Sequence, residues 1–153
     1  MIIEITDFFD VRVCNYLITY FHESPNKVKW DPGVELIRLY DHMHNDSIKK
    51  IHHVLVRHGL DCYGPKYYIE NFEVVCRAPG NIMKLHKDFT HHDHTIIVYL
   101  NDNFESGETN VEGVNIAAKT GKAVTFPGNA MEHGVNEVQG KARYVLTCWW
   151  AQL

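Results

Sequence analysis

From Tyr67 onward, short segments rich in β-branched and aromatic residues alternate with residues that favour turns. Six such segments are read as strands: Tyr67–Val75, Ile82–His86, Thr95–Leu100, Asn115–Ala117, Ala123–Phe126 and Arg143–Trp150. The breaks between them contain Pro79-Gly80, Asn101–Gly107, Thr120-Gly121 and Pro127-Gly128. Many short strands at such close spacing are typical of a sandwich or a barrel. We therefore predict that this half of the chain forms a jelly roll.

The first part of the chain has a different periodicity, which predicts two helices. From Val13 to Phe21, apolar residues recur every three or four positions, and Asp7 or Asp10 is the candidate N-cap. A second helix is expected from about Asp46 to His58, where apolar residues again share one face. Gly59 is well placed to end it.

The length of 153 residues favours one domain, because domains usually span roughly 100–200 residues. Residues 1–66 are expected to be a helical support region, with a strand-like start at Ile2–Ile5 and a loop at Glu23–Gly33. Residues 67–153 are expected to form the jelly-roll core. The predicted fold class is α+β, mainly β, with the two helices packed on one sheet.

Composition narrows the classes of partner and compartment. Fifteen basic and nineteen acidic residues give a formal charge of −4, which disfavours nucleic acid and anionic membranes as main partners. No apolar run approaches the ~20 residues of a membrane span, and residues 1–10 lack the basic start of a signal peptide. Four scattered cysteines without a CxxC motif fit a reducing compartment. We therefore expect a cytoplasmic protein.

Histidine is abundant, with eleven residues, and three chemistry-bearing residues have the spacing of metal ligands. His86 and Asp88 form a His-x-Asp pair, and residues two apart in a strand point to the same side. His133 follows the predicted strand Ala123–Phe126 and the turn after it. Two histidines and one carboxylate on one face form the facial triad of non-haem Fe(II) oxygenases, which leaves coordination positions open. The sequence therefore predicts an Fe(II) site at these three residues.

Arg143 lies ten residues after His133 and begins the last predicted strand. Alternation places it on one face with Val145, Thr147 and Trp149. An arginine in an otherwise apolar strand is costly to bury unless it binds an anion, and its planar guanidinium matches a carboxylate in bidentate fashion. If His133 binds iron, Arg143 is well placed to hold the far carboxylate of a keto acid bound at the metal.

In this order, these motifs resemble the 2-oxoglutarate/Fe(II)-dependent dioxygenases, and in particular their prolyl-4-hydroxylase branch. The resemblance covers about residues 73–150, roughly half of the chain. It extends over six short segments: Arg77–Gly80, Thr95–Asn101, Ser106–Thr109, Gly121–Phe126, His133–Val135 and Arg143–Trp149. Each segment is weak alone, but six in order at compatible spacing form a specific signal.

The resemblance implies a double-stranded β-helix, a cupin-like jelly roll of two antiparallel sheets, and a role for each matched residue. The matches to the iron ligands are His86, Asp88 and His133. Arg143 matches the basic residue that holds the 5-carboxylate of 2-oxoglutarate. Three hydroxyl-bearing residues match positions that contact this co-substrate: Tyr99, Thr109 and Thr147.

The departures from the family pattern concern the substrate. Arg77 stands where family members commonly have a co-substrate tyrosine, and the connection Phe89–His94 is shorter than usual. His92 and Ala151 replace an arginine and a histidine that help to hold peptide substrate in the procollagen type. Arg77, His92 and Trp149 are therefore candidates for the substrate-binding rim.

The remaining histidines have plainer interpretations. Those of the connection, His91, His92 and His94, are interpreted as a solvated loop at the mouth of the site, with substrate contact as the alternative. A second His-x-Asp pair, His91 with Asp93, is set aside because it lies in a polar connection, out of register with the resemblance. Those at 42–58 are interpreted as surface residues.

The resemblance implies hydroxylation of an unactivated C–H bond with Fe(II), 2-oxoglutarate and O2, releasing succinate and CO2. Ascorbate is a further candidate cofactor. Peptidyl proline is the first choice of substrate, so a peptide, a protein or a small molecule is the expected partner. Three alternatives stay open. These are an oxygenase of a free amino acid, small metabolite or nucleobase, a cupin-like binding protein without redox chemistry, and a histidine-rich metal-storage module.

Overall fold

The computed structural model describes residues 1–153 and contains two α-helices and thirteen strands. The helices are α1 (Val11–Glu23) and α2 (Asp46–Cys62), and a short 3₁₀ helix covers Leu39–His42. The strands are β1 (Ile3–Ile5), β2 (Val28–Asp31), β3 (Val34–Arg38), β4 (Tyr67–Arg77), β5 (Met83–His86), β6 (His94–Tyr99), β7 (Glu105–Ser106), β8 (Thr109–Val111), β9 (Val114–Ile116), β10 (Ala123–Phe126), β11 (His133–Val135), β12 (Val138–Gln139) and β13 (Arg143–Gln152). The prediction of a mainly β fold is confirmed.

Two antiparallel sheets face each other and form a double-stranded β-helix. The major sheet has seven strands in the order β1-β10-β6-β13-β4-β3-β2, and the minor sheet has four in the order β5-β11-β8-β9. A pair of two-residue strands, β7 and β12, lies beside them. One apolar cluster fills the space between the sheets, with Val75, Tyr99 and Val145 from the major sheet and Val111 and Val135 from the minor one. The predicted jelly roll is therefore confirmed.

Both helices cover the outer face of the major sheet. Asp10 caps α1 by accepting a hydrogen bond from the backbone of Arg12, and Asn45 caps α2 in the same way. Their apolar faces, including Leu17 and Leu55, join the strands in a second core cluster. This arrangement confirms that the helices pack on one sheet. Neither helix has the length and apolar character needed to cross a membrane.

The prediction that Gly59 ends the second helix is wrong, because α2 continues to Cys62. Gly59 lies inside the helix against the indole of Trp150, and a Cβ at this position would collide with the indole nitrogen. The glycine is therefore explained by close packing of the helix on β13.

The prediction of a loop at Glu23–Gly33 is wrong in part. Residues Val28–Asp31 form β2, which turns at Pro32 and Gly33 and pairs with β3. Gly33 takes the left-handed conformation that this turn requires, with a φ of 77°. The strands β1, β2 and β3 all join the major sheet, so the description of residues 1–66 as a helical region is incomplete.

The alternation of β13 separates the two cores. Tyr144, Leu146, Cys148 and Trp150 face the helices, whereas Arg143, Val145, Thr147 and Trp149 line a cavity between the sheets. This confirms the faces predicted for this strand. On β4 the alternation is interrupted by a bulge at Glu70, since Trp149 pairs with Asn71 and Trp150 with Ile69.

Candidate metal centre and co-substrate pocket

His86, Asp88 and His133 meet at one end of this cavity. The strands β5 and β11 pair with His86 directly opposite His133. Asp88 lies two residues beyond the end of β5, where its backbone N–H donates to the carbonyl of Gly128 at 2.9 Å. The Nε2 atoms of His133 and His86 lie 3.3 and 3.6 Å from Oδ1 of Asp88. The structure therefore brings together the three residues that the sequence predicts as ligands.

Hydrogen bonds fix which nitrogen each imidazole presents. Nδ1 of His86 lies 3.0 Å from the carbonyl of Lys84, and Nδ1 of His133 lies 2.9 Å from the carbonyl of Met131. A carbonyl oxygen can only accept, so Nδ1 carries the hydrogen in both rings. The lone pair of a neutral ring is then on Nε2, which faces Asp88. Metal-binding histidines commonly have such a second partner.

The other oxygen of Asp88 is held in place. Its Oδ2 accepts hydrogen bonds from Oγ1 of Thr95 at 2.6 Å and from Nε1 of Trp149 at 3.2 Å. Burial alone would raise the pKa of Asp88, but hydrogen bonds from Thr95 and, when the imidazoles are protonated on both nitrogens, from His133 and His86 outweigh it and keep the pKa well below its usual range. The carboxylate is therefore ionised, with Oδ1 directed toward both imidazoles.

Removing the Thr95 hydroxyl with the isosteric Thr95→Val variant is expected to weaken Fe(II) binding about 10-fold, because an anchored ligand then becomes mobile. Anaerobic metal competition at pH 7 measures this affinity. Thr125→Val is the matched control, since Thr125 is also buried but does not contact Asp88. Equal affinities of the Thr95→Val protein and the unmodified protein would contradict the prediction.

The cavity has a volume of about 650 Å³ and lies between the two sheets. Two exposed aromatic side chains, Trp30 and Phe89, are part of its lining. Its lining includes the predicted ligands and several predicted rim or co-substrate residues: Arg77, His86, Asp88, His92, His133, Arg143, Thr147 and Trp149. One space thus contains a metal-ligand set, cations and an apolar wall.

Arg143 is a buried cation without an ion-pair partner. Its side chain is 1% exposed, its Nη2 donates to Oγ1 of Thr109 at 2.9 Å, and its Nε has no partner. The guanidinium lies 5.3 Å from the centre of the Tyr99 ring. Burial lowers the pKa of Arg143, but an arginine stays charged at neutral pH. Such a group fits an anionic ligand that enters the cavity, as predicted from the sequence.

Arg77 lies directly opposite Arg143 on the paired strands β4 and β13. It donates to Oδ1 of Asn81 at 2.8 Å and contacts the sulfur of Met83. Burial and then the charge of Arg143 lower the pKa of Arg77 to about 10. Two like charges in directly paired positions are destabilising, and an anion between them would relieve this. Arg77 is partly buried and lines the cavity, and its role at the substrate-binding rim stays a prediction.

Tyr99 and Thr109 lie behind Arg143 and do not line the cavity. The Thr109 hydroxyl is 2.6 Å from the Tyr99 hydroxyl, which in turn donates to the carbonyl of Ile116 at 3.0 Å. These two hydroxyls hold the guanidinium in position. Thr147 does line the cavity beside Arg143. Direct contact of the three residues with 2-oxoglutarate stays a prediction.

The solvated-loop interpretation is wrong for His92 and His94. His92 is 7% exposed, and its Nε2 lies 2.7 Å from Oε2 of Glu70. Its ring also stacks on Trp149, which places it at the wall of the cavity. His94 is partly buried and stacks on Tyr63, away from the cavity.

Three residues that line the cavity or contact the predicted ligands are missing from the sequence-based set. Thr95 could have been found, because alternation along its strand puts it on the same face as Ile97, which lines the cavity. Glu73 had a signal too, since a carboxylate within the run from Phe72 to Val75 is unexpected in a core strand. Gly128 had no signal in the sequence. A Cβ at this position would collide with Asp88 and Thr95, which only the folded structure reveals.

The residues present fit both groups that the sequence resemblance implies. Two imidazoles and one carboxylate on one side of the metal form the donor set that suits Fe(II) and leaves open positions. The unpaired Nε of buried Arg143 and the neighbouring Arg77 suit the far carboxylate of 2-oxoglutarate.

Comparisons of structure show the same fold in two prolyl hydroxylases and in a protein named HygX. The viral collagen prolyl hydroxylase of Paramecium Bursaria Chlorella virus-1, solved with 2-oxoglutarate, has a TM-score of 0.75 at 19% identity and covers 99% of this chain and 96% of its own. A prolyl hydroxylase of Trichoplax adhaerens, in complex with a peptide of hypoxia inducible factor, has a TM-score of 0.79 at 19% identity, and the match covers 99% of this chain and 83% of the other. HygX of Streptomyces hygroscopicus, with nickel, 2-oxoglutarate and hygromycin B bound, has a TM-score of 0.80 at 12% identity, and the match covers 99% of this chain and 82% of the other.

Comparisons of sequence identify the family. A search of the curated proteins found no match. The family model of the 2OG-Fe(II) oxygenase superfamily matches residues 72–151, more than half of the chain, and includes the triad and Arg143. The chain therefore belongs to the 2OG-Fe(II) oxygenase superfamily, whose enzymes use Fe(II) and 2-oxoglutarate.

Proposed function

We propose that this chain is a single-domain hydroxylase in which His86, Asp88 and His133 bind Fe(II) and Arg143 binds the 5-carboxylate of 2-oxoglutarate. When bound, the iron and the co-substrate supply the oxidative chemistry that amino-acid side chains cannot perform. The observation that carries the proposal is the buried guanidinium of Arg143, which has no ion pair, in the same cavity as the converging triad. A cation held there without a ligand would otherwise only cost stability.

The protein itself contributes position and exclusion of water. Thr95 and Trp149 hold Asp88, while Thr109 and Tyr99 hold Arg143. The apolar wall around Val145 keeps the space between the two anchors dry, which strengthens charge interactions inside it. The chain therefore offers two fixed anchors for one chelating, two-carboxylate ligand.

Peptidyl proline remains the first proposed substrate. The fold is shared with a collagen prolyl hydroxylase and with a prolyl hydroxylase that binds a peptide of hypoxia inducible factor. The cavity lining includes two exposed aromatic side chains, Trp30 and Phe89, and grooves lined with aromatic residues suit proline-containing peptides.

A small basic molecule, such as a free amino acid, is the second candidate substrate, and Glu73 favours it. This carboxylate is 8% exposed, lines the cavity and has a hydrogen bond from Asn71 but no ion pair. Burial raises the pKa of Glu73 to about 7. An ammonium group of a substrate would supply the missing partner. HygX shows that a protein of this fold can bind a small molecule, hygromycin B.

The free energy of unfolding should depend on pH because of the unpaired Glu73 carboxylate. The pKa of Glu73 is about 7 in the folded protein and 4.5 in the unfolded reference, so folding becomes less favourable as the pH rises between these values. Glu73→Gln removes this penalty. We expect the variant to gain up to about 3 kcal/mol over the unmodified protein at pH 8, but little at pH 4.5. Urea unfolding at both pH values measures the difference, with the exposed Glu23→Gln as control. An equal difference at both pH values would contradict the prediction.

The proposed function is tested by measuring succinate formation from 2-oxoglutarate in the presence of Fe(II). Proline-rich peptides and free basic amino acids are compared as substrates, and mass spectrometry detects the gain of one oxygen atom. Hydroxylated peptide supports the first substrate, and hydroxylated amino acid supports the second. If metal binds but no succinate forms with or without added substrate, the non-redox binding protein becomes the better interpretation.

A further inference from the structure

A second set of metal-ligand residues lies at the wall of the cavity, apart from the triad. It consists of Glu70 on β4 and of His91 and His92 in the connection between β5 and β6. The three donor atoms lie within 4.8 Å of one another. The β-bulge at Glu70 makes this possible, since it turns that side chain onto the cavity face together with Asn71.

The two imidazoles approach the carboxylate through the same type of atom. Nε2 of His91 lies 3.3 Å from Oε1 of Glu70, and Nε2 of His92 lies 2.7 Å from Oε2. For metal bonds of about 2.0–2.2 Å, neighbouring ligand atoms are roughly 3.0–3.5 Å apart. The triad of the same chain has N···O separations of 3.3 and 3.6 Å. The His91 separation lies in this range, whereas the His92 separation is that of a direct hydrogen bond, so the His92 ring must move outward by roughly 0.3 Å to admit an ion.

Stacking orients both rings toward the carboxylate. The ring of His92 is buried and stacks on Trp149 with 5.5 Å between the centres. The ring of His91 is parallel to that of Phe89, at an angle of 3°. His91 is solvent-exposed, and an exposed ion pair contributes little stability. Its pairing with Glu70 therefore does not by itself explain the fixed position of this ring.

We propose that Glu70, His91 and His92 form a second binding site, for a divalent transition-metal ion such as Zn²⁺. Two imidazoles and one carboxylate are a common ligand set for such ions, and a water molecule would complete the coordination. In the triad each Nδ1 donates to a backbone carbonyl, whereas neither histidine of the second site has such a bond. Because such bonds raise metal affinity, the second site binds more weakly than the triad.

A metal ion in this second site would tie the β5–β6 connection to β4. His92 stacks on Trp149, and Trp149 donates to Asp88, so the second site is linked to the triad through two contacts. Metal occupancy would therefore restrict the connection at the cavity wall without using a ligand of the first site.

The test is the number of Zn²⁺ ions bound per chain, measured by calorimetric titration of tag-free protein. We expect two equivalents for the unmodified protein. In His91→Ala and in Glu70→Gln, the affinity for the more weakly bound Zn²⁺ ion should fall at least tenfold, so that the titration detects only one equivalent. His91→Ala removes an exposed side chain, and Glu70→Gln keeps the shape of the residue, so both should fold. The control His53→Ala removes an exposed histidine of α2 and should still bind two.

His133→Ala separates this proposal from the proposed function. It should lose the tighter equivalent and keep the weaker one. A single equivalent in the unmodified protein would overturn the second site and indicate a simple ion pair of His92 with Glu70. Two unchanged equivalents in both His91→Ala and Glu70→Gln would overturn it as well. Loss of the weaker equivalent in these variants would support the site, whether or not the protein turns over 2-oxoglutarate.

Discussion

Replacing His133 with alanine is expected to abolish formation of the Fe(II) and 2-oxoglutarate complex. His133 is 2% exposed and lies opposite His86, so no other side chain can take its place. Losing one of three ligands leaves a bidentate site that cannot hold the ion with open positions in a fixed arrangement. Succinate formation should fall to the background of free Fe(II).

An anaerobic titration of Fe(II) and 2-oxoglutarate into the apo-protein measures this effect. The unmodified protein should develop a weak visible absorption band that saturates at one equivalent, and His133→Ala should develop none. His53→Ala, which removes an exposed histidine of α2, should behave as the unmodified protein does. A band of normal strength in His133→Ala would rule out the triad as the iron site.

Arg143→Met is expected to change binding and stability in opposite directions. Truncating one member of a buried charge pair costs about 2–5 kcal/mol, so the Kd for 2-oxoglutarate should rise at least ~30-fold. Without ligand, however, Arg143 is a buried charge with one hydrogen bond. Replacing it with an apolar chain of similar length should leave the ligand-free protein as stable, or more stable by about 1 kcal/mol or more.

Thermal unfolding with and without 2-oxoglutarate, in the presence of a redox-inert divalent metal, separates the two effects. The co-substrate should raise the Tm of the unmodified protein through mass action, and it should not raise that of Arg143→Met. Arg57→Met, an exposed arginine of α2, is the control. A variant that is strongly destabilised but binds 2-oxoglutarate normally would show that Arg143 has a structural role instead.

The features that follow from strand geometry were accessible from the sequence. Side chains alternate along a strand with a period of two, so the two faces of β13 could be assigned from Arg143 onward. The same rule placed His86 and Asp88 on one side, even though Asp88 lies just beyond the strand. The pairing of His86 with His133 could be expected only from the family resemblance, because no local pattern specifies which strands pair.

The features that were missed depend on tertiary contacts. Gly59 has the sequence signature of a helix end, but its reason is the indole of Trp150. The hairpin of β2 and β3 was hidden because Val28–Asp31 is a mostly exposed edge strand flanked by prolines. The burial of His92 depends on a bulge that turns Glu70 toward it, and a polar connection gives no sign of such a partner.

The contact of Gly59 with Trp150 links the outer helical layer to the metal centre. Trp150 and Trp149 are neighbours on opposite faces of β13, and the Trp149 indole donates to Asp88. Any bulk at position 59 would displace one indole and, through the shared backbone, shift the other. The packing of α2 against Trp150 thus affects the position of the Asp88 carboxylate on the opposite face of the sheet. A substitution of Gly59 would therefore disturb the geometry of the metal centre although every predicted ligand is intact.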